Sequence, residues 1–105
     1  MENNQNMKAL FIIVNAGFAN AAVELAQSCG AGGATILSAR GSGAKYSSFL
    51  GLQYEPEREI FISVVTSEVA DKIVDAIAQK LGEGTPTNGI CFTMPVEKMT
   101  SITKK

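Results

Sequence analysis

The 105-residue sequence contains no histidine and no tryptophan, three prolines and only two cysteines, Cys29 and Cys91. Without histidine, a Ser-His-Asp or Cys-His triad is excluded within this chain, as is a mixed Cys/His zinc site. The cysteines lie far apart with no CxxC spacing, so both read as reduced, half-buried small hydrophobes of a cytosolic protein, and no metal is expected. Basic runs are also missing: nine Lys and Arg stand against ten Asp and Glu, for a formal net charge of -1. Nucleic acid is therefore not an expected partner, and Lys104-Lys105 is too short for a polybasic arm. No apolar run approaches the ~20 residues of a membrane-spanning helix, so direct membrane insertion is not expected. Residues 1–6 lack the charged and apolar regions of a signal peptide. They read as a disordered extension ahead of one domain over 7–105, in a cytoplasmic protein.

What is present supports a small core: 46% of residues are hydrophobic. A chain of this length is marginal alone, and association into an oligomer would supplement its core. The organising stretch is Gly33-Ala-Thr-Ile-Leu-Ser-Ala-Arg-Gly-Ser-Gly43, read as a buried strand running into a loop. Before it, the apolar run Ala9 to Val14 suits a central strand. Phe18, Ala22, Leu25 and Cys29 then fall on one helical stripe, ended by Gly30 to Gly33. The second half repeats the plan. Glu59 to Val65 reads as a strand, and Thr66 or Ser67 caps a helix carrying Val69, Ile73, Ala76 and Ile77 inward. Gly82, Gly84 and Pro86 stop that helix, and Ile90 to Met94 forms a last strand.

The order βαβ-loop-βαβ predicts an α+β ferredoxin-like sandwich: one antiparallel four-stranded sheet with two helices on one face. Apolar residues at both parities of the Ala9 to Val14 strand predict that the other face is covered too, most simply by neighbouring subunits.

Three segments invite a functional reading beside a plain structural one. The glycines at 30–33 and 41–43 either expose backbone amides to an anionic ligand or serve turns that need positive φ. The 44–59 loop, with Lys45, Tyr46, Phe49 and Leu52, either contacts a partner or folds back with Phe49 and Leu52 as a short helix. Thr85-Pro-Thr-Asn-Gly89 is a turn whose hydroxyl and amides are also suited to a ligand. No general base in a pocket can be named, so catalysis is not expected.

These residues resemble those of the PII signal-transduction family (nitrogen regulatory protein PII), and in particular its divergent PII-like members, over almost the whole chain from Met7. The opening Met7-Lys-Ala-Leu-Phe-Ile-Ile13, the pair Gly33-Ala-Thr35 and Arg40-Gly-Ser-Gly43, and Asn88-Gly-Ile-Cys-Phe92 with Met94-Pro-Val-Glu97 carry the resemblance. It implies a homotrimer binding adenine nucleotides between subunits, and a T-loop that contacts a regulated target protein, a membrane transporter being one candidate. Carried over by position, Ile13, Gly33, Ala34, Thr35 and Val64 surround the adenine. Gly41 and Gly43 lie at the near base of the T-loop and Arg58 at its far base. Thr87, Asn88 and Gly89 face the phosphates, while Lys45, Tyr46 and Phe49 sit on the partner-binding loop.

The sequence departs from the family where charge meets phosphate. A B-loop of Gly-Asp-Gly-Lys is replaced by Thr87-Asn88-Gly89-Ile90, and Ser101 and Thr103 stand where paired arginines are expected. Each charged contact to phosphate is worth about 1.5–3 kcal/mol, so AMP or ADP is expected as effector rather than ATP. Sensing of 2-oxoglutarate is not expected, and the surroundings of Tyr46 do not match a uridylylation site. The rival reading is an interaction module of the same fold that has lost its nucleotide. A small enzyme is disfavoured, because the arginine-and-asparagine site of acylphosphatases has no counterpart.

Overall fold

The structure, a computed structural model, describes residues 6–40 and 57–100, and the backbone of 48–49 and 52–53. Strand β1 (Met7–Asn15) buries alternate residues, Leu10, Ile12 and Val14, beneath the helices. It pairs antiparallel with β5 (Glu57–Thr66) from Met7 opposite Thr66 to Asn15 opposite Arg58. On its other side it pairs antiparallel with β6 (Ile90–Pro95), from Lys8 opposite Pro95 to Ile13 opposite Ile90. Strand β2 (Thr35–Arg40) adds to the free side of β5, giving the order β2-β5-β1-β6. Every pair is antiparallel, as a ferredoxin-like sandwich requires. The continuous apolar run is thus explained by a central position, since β1 has sheet neighbours on both edges.

Helices α1 (Ala19–Ser28) and α2 (Ser67–Lys80) cover one face. Ala22 and Ala26 of α1 meet Leu10, Ile12, Val14 and Phe61 of the sheet, with Ala70, Ile73 and Ile77 from α2, in one core. The small alanines let α1 approach the larger sheet side chains closely. The Thr66 hydroxyl accepts from the Val69 amide at 3.3 Å, capping α2 at the residue the sequence marks. Gly30 ends α1 with φ +115°, a conformation that favours glycine.

Two expectations are corrected. The stretch that leads to Arg40 is not a buried strand. β2 is the sheet's edge, with Ile36 and Leu37 more than 40% exposed, at 41% and 46%, because only β5 lies beside it. Phe49 and Leu52 do not form a short helix. They pair with each other in a two-stranded ladder of β3 (Ser48–Phe49) and β4 (Leu52–Gln53). β5 begins at Glu57, two residues before its predicted start. Gly41, Gly43, Lys45 and Tyr46 lie outside the described residues.

The second sheet face carries Ala9, Phe11 and Ile13 of β1 beside Ile60, Ile62 and Val64 of β5, and Ile90, Phe92 and Met94 of β6. The Phe11 and Phe92 rings stack, with centroids 4.9 Å apart and planes within 9°. Val64, Ile90, Phe92 and Met94 remain exposed on it within the single chain.

Candidate functional site

The register sorts the predicted strand residues onto one face and spreads them along its length. Ile13, Thr35, Arg58 and Val64 all project from the helix-free side: Thr35 stands opposite Ile62, two residues from Val64, and Ile13 stands opposite Ile60, two residues from Arg58. Val64 and Arg58 are six residues apart on one strand, roughly 20 Å at the rise of an extended chain. Gly33, Ala34, Thr35 and Val64 therefore lie toward one end of the sheet, and Arg58, Thr87, Asn88 and Gly89 toward the other, with Ile13 near the middle, two residues along the register from Thr35.

The first group is held by Ser63, whose buried hydroxyl donates to the Gly33 carbonyl at 2.8 Å. This bond ties the segment before β2 to the strand that β2 joins. Gly33, Ala34 and Thr35 stay exposed.

The second group is built around the end of β1. The Arg58 guanidinium donates to Asn15 Oδ1. Asn15 Nδ2 donates to the Pro86 carbonyl at 2.9 Å, and the Asn15 amide donates to the Thr87 carbonyl at 3.0 Å. The 85–89 turn closes on itself through Thr85, whose hydroxyl donates to the Gly82 carbonyl at 2.7 Å and accepts from the Asn88 amide at 3.2 Å. Asn88 has φ +51°, which asparagine tolerates better than most residues. Gly89 donates its amide to the Leu81 carbonyl at 2.7 Å, and a Cβ at this position would lie 2.9 Å from that oxygen. Only glycine fits so close an approach. Thr87 is 3% exposed, so the turn points its carbonyl inward at this residue and buries the side chain.

One anion slot is already occupied by the protein itself. Glu59 Oε1 accepts from the amides of Gly17 at 3.0 Å and Ala19 at 3.3 Å, at the N-terminus of α1. A carboxylate there complements the helix dipole. Sequence reasoning missed both Glu59 and Asn15. Asn15 reads locally as a strand breaker, and its partners lie 43 and 71 residues away.

Grooves on the helical side do not gather the predicted residues. One lies between the helices, lined by Ala21, Leu25, Lys80 and Leu81. Another is lined by Ile77, Gly82, Gly89 and Cys91, of which only Gly89 was predicted. Burial pushes the Cys91 thiol up to about 11, which keeps it protonated and unreactive at neutral pH. Among the described residues no three His, Cys, Asp or Glu side chains converge as metal ligands. No helix among them is long and apolar enough to cross a membrane.

The family model described as nitrogen regulatory protein P-II matches residues 7–105. No curated protein matches the chain significantly. Solved structures share the fold. CPII, a nitrogen regulatory PII-like protein from Thiomonas intermedia K12 solved with ADP, AMP and bicarbonate, superposes with a TM-score of 0.70 at 21% identity, over 91% of this chain and 96% of that one. A PII-like signalling protein assigned in Thermus thermophilus gives 0.68 at 22% identity, over 86% and 85%. GlnK of B. subtilis gives 0.67 at 16% identity, over 88% and 86%. With the family model matched from the first residue of β1 onward and the sheet order in agreement, this chain belongs to the nitrogen regulatory protein P-II family.

Proposed function

We propose that this chain is a PII-like signalling regulator that binds an adenine nucleotide, AMP or ADP in preference to ATP, between subunits and controls a partner protein through its T-loop. Proteins of the family are trimeric regulators that bind target proteins. One observation carries the reading. Ile13, Thr35, Arg58 and Val64 share the helix-free face, and Val64 and Arg58 stand roughly 20 Å apart along β5, a span that the ends of two subunits brought together would close into one site. Gly33, Ala34, Thr35 and Val64 would receive the base from one subunit. Ile13, Arg58 and the Thr87-Asn88-Gly89 turn would meet the rest of the nucleotide from its neighbour, with the Arg58 guanidinium as the cation, since the Asn88 and Gly89 amides already bond Thr85 and Leu81. The Thiomonas intermedia relative is solved with ADP and AMP, and GlnK of B. subtilis with ATP. Here Ile90 takes the place of the B-loop lysine, which removes a charge from the far phosphates and favours the shorter nucleotides. Gly41 and Gly43 at the base of the loop, and Lys45, Tyr46 and Phe49 on it, would carry the signal to a cytoplasmic target such as a membrane transporter. A ligand shifts such a loop only by its differential affinity for the loop's states.

A thermal-shift panel of adenosine, AMP, ADP and ATP tests this. At least one nucleotide should raise the melting temperature, and Thr35→Glu should abolish the rise by placing a carboxylate at the base site. No response to any of them overturns the ligand reading.

A second reading, an interaction module without a nucleotide, is favoured by two features of the B-loop: the buried Thr87 and the 57% exposed, apolar Ile90. An intact oligomer that is silent to every nucleotide would select it.

A further inference from the structure

We infer that Asn15 is a positioning residue for the phosphate end of the site: it locks the Arg58 guanidinium to the Pro86–Thr87 segment, so that the cation and the turn act as one unit that reads the nucleotide's phosphates. The inference rests on the nucleotide reading above.

Asn15 engages all four of its polar groups. Its amide and Nδ2 donate to the adjacent carbonyls of Thr87 and Pro86, its Oδ1 accepts from Arg58, and its own carbonyl accepts from the Phe18 amide at 3.1 Å. Pro86 has no N–H, so the turn can be held at that residue only through its carbonyl. A carboxamide accepts from a guanidinium through its oxygen and donates to that carbonyl through its nitrogen at the same time. Aspartate accepts but cannot donate, and alanine does neither. The neighbours of Arg58 fasten the same place. The Glu57 carbonyl accepts from the Ala16 amide at 3.1 Å, and Glu59 caps α1. The start of β5 is therefore clamped to the 15–19 turn, and Asn15 extends that clamp to the 85–89 turn.

A cation held in one orientation loses less side-chain freedom when it meets phosphate than a free one. The base-binding group, at the other end of the sheet, gains nothing from this clamp. Asn15 should therefore set the preference for phosphorylated ligand over nucleoside, and leave the grip on the base to Thr35 and Val64.

The test is calorimetric titration of the wild type, Asn15→Asp, Asn15→Ala, Arg58→Gln and the double variant Asn15→Ala/Arg58→Gln with adenosine and ADP. The preference for ADP over adenosine should fall about tenfold in each Asn15 variant, the worth of a hydrogen bond to a charged group. Asn15→Asp retains a partner for Arg58, which guards against a folding defect, but it neutralises the cation and turns away the Pro86 carbonyl. Adding Arg58→Gln to Asn15→Ala should lower the preference little further, because the two residues act together. Equal losses for adenosine and ADP, or unchanged preference, would overturn the positioning role while leaving the nucleotide reading intact. Additive effects of Asn15→Ala and Arg58→Gln would overturn it too. A wild type that binds neither ligand overturns both.

Discussion

The Ser63 hydroxyl, buried in the strand beside β1, donates to the Gly33 carbonyl at 2.8 Å and so fixes the approach to the edge strand that carries Thr35. The two residues are 30 positions apart in sequence. Removing the donor leaves a carbonyl without its partner, at a net loss of about 1 kcal/mol. Ser63→Ala should lower the urea midpoint with an unchanged m-value, and it should also weaken any thermal shift produced by AMP or ADP, because Gly33 and Ala34 lose their anchor. A midpoint equal to that of the wild type would show that the bond contributes nothing.

The stacked Phe11 and Phe92 mark the middle of a sheet face that no described element of the chain covers. Exposed apolar area of this kind is what a subunit interface buries. Light scattering should give the mass of a trimer for the wild type. Phe92→Lys should shift it to the monomer, since a charge carried into such an interface has no partner there. A wild type of monomer mass would contradict the covered-face reading directly.

Cys91 should report on burial through pH. Its folded value, about 11, lies above the ordinary value of 9.0, because burial disfavours the thiolate. Ionisation is therefore easier in the unfolded chain. The thiol's contribution to stability is full below pH 9 and is lost as the pH climbs toward about 11. Thiolate absorbance in the native protein should appear only near the upper end of that window, and Cys91→Ala should flatten the decline in stability between the two values. A thiolate titrating near 9 in the native protein would contradict this.

Most of the fold was legible in sequence because its signals are local. The Ala9 to Val14 run, the glycine at 30, the Thr66 cap and the Ile73 and Ile77 spacing each state an element within a few residues of themselves. The site was legible only in part. Thr35, Val64 and Arg58 are candidates that the resemblance proposes, and their shared face follows from β-ladder register, which no short window of sequence contains.

The sequence by itself thus determined the order of the two helices and the four strands of the main sheet, its apolar faces and the lack of catalytic histidine, because propensity, periodicity and composition are properties of neighbouring residues. Only the tertiary structure decided that β2 is an edge strand, that Glu59 occupies the N-terminus of α1, and that Asn15 joins Arg58 to the 85–89 turn. Those relationships depend on which strands lie side by side, and the energy of a bond between residues 43 or 71 positions apart is written in neither local pattern.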